Sequence, residues 1–124
     1  MKNFGFVKVA AAVPTVAVAD CSTNAAHIEA LMLRAEKAGV AVTVFPELSL
    51  TGYTCADLFS QTTLISAAEE ALSRLLDASV EMRGAFVVGL PVEVRGALFN
   101  CAVVISRGEI GGVVPKQSLP NHGA

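Results

Sequence analysis

One glycine, Gly39, is all that separates an amphipathic segment from a β-branched one in the stretch EALMLRAEKAGVAVTVFPEL. Before it, Ile28, Leu31, Met32 and Ala35 recur at i, i+3, i+4 and i+7, with His27, Glu29, Arg34, Glu36 and Lys37 elsewhere. That spacing gives a helix one apolar face, and Gly39 is its natural C-terminal stop. After it, Val40 to Phe45 is a short strand-forming run closed by Pro46. So short a connection lays the helix back on the sheet that the strand joins, which restricts the chain to layered α/β architectures.

The rest of the sequence extends the same pattern. Phe6 to Val13 is rich in Val and Ala and ends at Pro14, as a buried first strand would. Asp20 to Asn24 offers several helix N-caps. Ser60 is placed to cap a second helix, in which Leu64, Ile65, Ala68, Ala71, Leu72, Leu75 and Leu76 share a face opposite Glu69, Glu70, Ser73, Arg74 and Asp77. Ala85 to Leu90 reads as a third strand stopped by Pro91. Leu98 to Ile105 is a fourth and Ile110 to Val114 a fifth, joined as a hairpin at Arg107-Gly108. The expected order is β-α-β-α-β-β-β.

Composition excludes several functions. The net charge is −2 and the nine Lys and Arg residues are scattered singly, which argues against nucleic acid and anionic membrane surfaces as partners. No apolar run reaches bilayer-spanning length. The N-terminus imitates a signal peptide, with Ala17-Val18-Ala19 as a cleavage-like site. Lys8 sits too late for one, however, Pro14 interrupts the apolar run, and the run holds no leucine, so a buried strand is the expectation. Three cysteines without short spacings make neither a disulfide framework nor a zinc site, and unpaired thiols fit the cytoplasm. His27 and His122 are not at metal-ligand spacing. Glycines 108, 111 and 112 match no dinucleotide or phosphate-binding fingerprint.

Two charged residues remain as candidates for chemistry. Glu47 lies two residues past the second strand, where sites form in open α/β sheets. Partial desolvation there by Phe45, Leu48 and Leu50 would raise its pKa towards the general-base range. A solvated loop glutamate is the plainer reading of position alone. Lys116, in VVPKQSLPN, also follows a strand and a proline, and could donate to a developing oxyanion; many such lysines are simply solvated. Cys55 and Asp57 share a loop with Glu47 but have no histidine nearby to complete a triad. Cys21 and Cys101 read as packing residues.

The blocks FPELSLTGY, VVGLP, NCAVVISRG and VVPKQSLPN, taken together, resemble the nitrilase or carbon–nitrogen hydrolase superfamily. LSLTGYTCADLF and PKQSLPN are similar to the glutaminase domains of bacterial glutamine-dependent NAD+ synthetases. The resemblance runs from about Gly5 to Asn121 and implies a partial α-β-β-α sandwich, with residues 1–124 forming the N-terminal portion of the domain.

It also implies a Glu-Lys-Cys triad. Glu47 takes the place of the general base and Lys116 that of the oxyanion-stabilising lysine. His122 stands where the family carries a glutamine-contacting tyrosine, a departure that puts glutamine binding there in question, and Tyr53 is a further binding candidate. The family's nucleophilic cysteine lies well downstream of the lysine. No cysteine follows Lys116, and none of Cys21, Cys55 or Cys101 occupies that place, so the chain by itself is expected to be inactive.

The resemblance further implies glutamine as substrate, homo-oligomer formation, no cofactor or metal on this chain, and ATP with Mg2+ only in a separate synthetase domain. The alternatives are a piece of a stand-alone amidase or nitrilase, and a non-catalytic α/β interaction module. Composition bears on these readings too. At 53% hydrophobic and 16% charged, the chain is expected to expose an apolar sheet face that the other half of a sandwich covers, and to be marginal or self-associating alone.

Overall fold

The computed structural model describes residues 8–13, 21–46 and 61–118. The elements follow the expected order: β1 (Val9–Ala11), α1 (Cys21–Lys37), β2 (Val42–Val44), α2 (Gln61–Ser79), β3 (Ala85–Val94), β4 (Ala97–Ser106) and β5 (Glu109–Ser118). They form one five-stranded sheet in which each strand lies beside its successor. The β1–β2 and β2–β3 pairs are parallel and the last two pairs antiparallel. Both parallel connections run through a helix. Right-handed crossovers progressing in one direction put both helices on the same face of the sheet.

That face holds the core. Ile28 and Met32 of α1, Ala68 and Leu75 of α2, and Phe86, Val88, Leu90, Val103 and Ile105 of the sheet are all buried in one cluster. The helical periodicity read from the sequence thus picks out the residues that pack. The polar residues of α2 opposite this stripe, from Glu69 to Asp77, are exposed, and Arg74 bonds Glu29 of α1 across the helix pair at 2.8 Å.

Two polar contacts fix the sheet end where the parallel strands begin. Glu36, near the end of α1, accepts hydrogen bonds from the Arg83 and Gly84 N–H groups at 2.8 and 3.0 Å. A Cβ on Gly84 would lie 2.9 Å from the Val40 carbonyl oxygen, so only glycine allows this approach. The β4–β5 turn rests on the end of α2. There the Gly108 N–H donates to Ser79 Oγ, whose hydroxyl donates to the Leu76 carbonyl, each at 2.8 Å. Gly108 combines φ of +82° with a Val80 methyl 2.8 Å from where its Cβ would stand.

Several sequence expectations need correction. The first strand is three residues at the sheet edge, and it is not buried: Val9 is 67% exposed. Pro91 does not stop β3, which runs on to Val94 and turns into β4 at Arg95-Gly96, both with positive φ. Among the described residues β2 pairs with β3 only over Ala85–Val87, so at Pro91 β3 is an edge on that side, and edges tolerate proline. β5 likewise continues through Pro115, on an edge strand among the described residues, and so Lys116 lies within the strand rather than beyond it. The Ser60 cap lies outside the described residues.

The other face is apolar and largely uncovered. Strand alternation and register put Val9, Ala11, Val42, Val44, Ala85, Val87, Ala102, Val104 and Val114 on it. Val44 and Val114 are about half exposed. Further along the same face, Pro91, Leu98 and Asn100 are buried.

Candidate active site

A cavity of about 250 Å³ opens on this second face, where β2 ends. Its walls come from four strands and the chain leaving the first of them: Val44 of β2 with Phe45 and Pro46 beyond it, then Val87, Val88 and Gly89 of β3, Cys101 and Ala102 of β4, and Lys116 of β5. The Phe45 N–H donates to the Val87 carbonyl at 2.8 Å, extending the β2–β3 ladder to the rim. Gly89 and Ala102 are register partners with almost no side chain between them, and that deficit makes the floor. The sequence reading did not single out either residue. Its only signal was the pair of small residues inside otherwise bulky strands, VVGLP and NCAVV.

Lys116 reaches the cavity because of a β-bulge. Cys101 pairs with Pro115 and Asn100 with Gln117, which leaves Lys116 as the extra residue on β5. A bulge bends its strand and re-aims a side chain, and such irregularities recur beside active sites. A second shift, between Val104 and Ile105, leaves Gly111 as the extra residue nearer the turn. Lys116 itself is exposed while lining the cavity, an arrangement that lets a lysine keep its ammonium in water. A cation at the edge of an apolar cavity can stabilise negative charge developing inside it.

Glu47, Tyr53 and His122 lie outside the described residues, as do Cys55 and Asp57. Pro46, the residue bonded to Glu47, lines the cavity together with Lys116. The carboxyl end of β2 and the bulged segment of β5 therefore meet at one opening.

Among the described residues Cys101 is the thiol nearest this chemistry, and it is no nucleophile. It is 3% exposed and packed in the core, and burial pushes its thiol above the ordinary value. A thiol held protonated in apolar surroundings is inert. Cys21 is likewise buried in the core. Both fit the packing role read from sequence. Among the described residues no group of three or more His, Cys, Asp or Glu side chains could hold a metal ion. No described helix is long and apolar enough to cross a membrane.

The model of the carbon–nitrogen hydrolase family matches residues 8–120. Over 118 residues the chain is 40% identical to the glutamine-dependent NAD+ synthetase of Mycobacterium leprae and 41% identical to that of Mycobacterium tuberculosis, covering 95% of this chain and 17% of each relative. It therefore spans about one sixth of the length of these curated relatives. Among solved structures, the glutamine-dependent NAD+ synthetase of Cytophaga hutchinsonii superposes with a TM-score of 0.82 at 27% identity, over 93% of this chain and 20% of that one. An amidase from Nesterenkonia sp. shares the fold, with a TM-score of 0.79 at 24% identity, over 93% of this chain and 44% of the amidase. The half-sandwich, the cavity at its strand ends and these matches agree: the chain belongs to the carbon–nitrogen hydrolase family.

Proposed function

We propose that this chain is the N-terminal part of the glutaminase domain of a glutamine-dependent NAD+ synthetase. In that reading, glutamine supplies ammonia for amidating nicotinic acid adenine dinucleotide. The observation that carries it is the shared opening: the residue next to Glu47 and the bulged Lys116 line one cavity at the carboxyl end of β2.

The chemistry follows from that placement. Glu47 takes the proton of a cysteine thiol supplied by the remainder of a complete glutaminase domain. The thiolate attacks the side-chain amide carbon of glutamine, and the carbonyl π electrons move onto oxygen. The Lys116 ammonium donates to that oxyanion and offsets its charge. Glu47 returns the proton to the departing nitrogen, which leaves as ammonia when the C–N bond breaks, giving a thioester. Glu47 then deprotonates water, whose attack on the thioester releases glutamate and the thiol. Tyr53 remains a candidate for contacting glutamine, and His122 stands at the family's glutamine-contacting position as a departure from its tyrosine. A cavity of about 250 Å³ is small for a complete ligand site, which suits one wall of a site completed from elsewhere.

ATP and Mg2+ belong to the synthetase domain in this reading, and no residue of this chain is assigned to them. A homo-oligomer in the cytoplasm accompanies it. The stand-alone amidase branch is the second reading, supported by the fold shared with the Nesterenkonia amidase.

The test is complementation. The chain alone should release no ammonia from glutamine. Joined to the remainder of a synthetase glutaminase domain from a close relative, it should do so, and Glu47→Gln should abolish the activity. Turnover by the chain alone, or rescue unaffected by Glu47→Gln, would overturn the proposal. Rescue with a simple aliphatic amide and not with glutamine would move the assignment to the amidase branch.

A further inference from the structure

Asn100 is the one polar residue among the described buried residues on the second face of the sheet. The other buried polar residues lie elsewhere: Asn24 and Ser79 on helices, and Thr43 on the face turned towards the helices. Asn100 is wholly inaccessible, with buried Pro91 as its register partner on β3. A carboxamide is costly to bury, and on an ordinary stretch of apolar sheet a leucine would serve better. What sets this position apart is the adjoining irregularity. The β4–β5 register slips between Asn100 and Cys101, and the residue expelled by the slip is Lys116. A bulge takes backbone N–H and C=O groups out of the ladder. The two amide hydrogens of the carboxamide are the groups that can bond a carbonyl released by the bulge, while its oxygen accepts no hydrogen bond from the described residues.

We infer that Asn100 is a positioning residue for Lys116. Its carboxamide holds the bulge in the form that turns the lysine stem over Ala102 and into the cavity. With the amide gone, β5 is free to pair without the slip or to swing its lysine away into water. The importance of this to catalysis rests on the proposed role of Lys116; the positioning itself does not.

The experiment uses the whole chain with its lysines reductively dimethylated with ¹³C, and Lys116→Arg to assign the Lys116 signal. In the native chain, nuclear Overhauser contacts should join the Lys116 methyls to the Ala102 methyl and to Pro46. Asn100→Ala should abolish those contacts and move the Lys116 signal to that of an exposed lysine. Leu98→Ala removes another buried side chain from the same strand and face and should leave the contacts in place. If Asn100→Ala does not fold, Asn100→Thr, with its strand-compatible side chain, is measured in its place with the same expectation. Contacts that persist without the amide overturn the inference, as does equal loss in Leu98→Ala. A separate result, glutaminase activity surviving Lys116→Met in the complemented enzyme, would remove Lys116 from the mechanism without altering the contact result.

Discussion

The two faces of the sheet are built from the same kinds of residue and behave differently. On the helix side, Phe86, Val88, Val103 and Ile105 are essentially inaccessible and close a single cluster with α1 and α2. On the far side, their neighbours in sequence, Val87, Ala102 and Val104, are only partly covered, and Val44 and Val114 stand about half exposed. The difference comes from what lies opposite each face. The first face carries the packed core and the second carries the cavity, because a cavity needs strand residues that no other described side chain has filled in.

Substitutions can break this contrast, and the largest effect belongs to the core. Phe86→Ala should cost about 3–5 kcal/mol of unfolding free energy, whereas Val104→Ala, one strand over on the far face, should cost about 1 kcal/mol or less. Urea denaturation of both variants checks this, and equal costs would mean that the far face is as well packed as the near one. Next is Lys116→Met. It should lower glutaminase turnover of the complemented enzyme by about 10²–10³-fold while leaving stability within about 0.5 kcal/mol, which divides function from stability along the same line.

Two smaller effects sharpen the helix-side half of the comparison. Thr43 is buried on β2 and its hydroxyl has no hydrogen-bond partner among the described residues, so isosteric Thr43→Val should stabilise the fold by about 1 kcal/mol. The smallest effect is a pH dependence. Burial raises the Cys101 thiol, so the unfolded chain ionises first, near pH 8.5, while the folded chain keeps its proton. The unfolded state then binds fewer protons, and the thiol's contribution to stability is lost as pH rises above that value. Denaturation midpoints at pH 7 and pH 9.5 should differ more for the native chain than for Cys101→Ala.

Most of the near face was legible in the sequence because helices advertise their packing side. The stripe Ile28, Met32 and the stripe Ala68, Ala71, Leu75 are periodic, and each is buried as that period demands. The prolines misled for a physical reason. Pro91 and Pro115 read as strand stops, yet a proline whose nitrogen faces an unpaired edge removes no ladder bond, and edge status is a property of the assembled sheet. The hairpin turn at Arg95-Gly96 has the same Arg-Gly signature as Arg107-Gly108, but the apparent stop at Pro91 hides it. The bulge that aims Lys116 was invisible as well, because register is set by pairing across strands and has no trace within one of them. For Lys116 the motif gave the residue and the sheet gave its direction. Glu47, at the other side of the proposed pair, lies outside the described residues.

The simple strand order carries one last consequence. Because every strand is a neighbour of the one synthesised before it, each new segment leaving the ribosome finds its partner already made. The long β3–β4–β5 meander closes through turns of two residues, and such local contacts form quickly. Growth of this kind is vectorial: each strand of the helix-backed layer can settle on the template of the one translated before it.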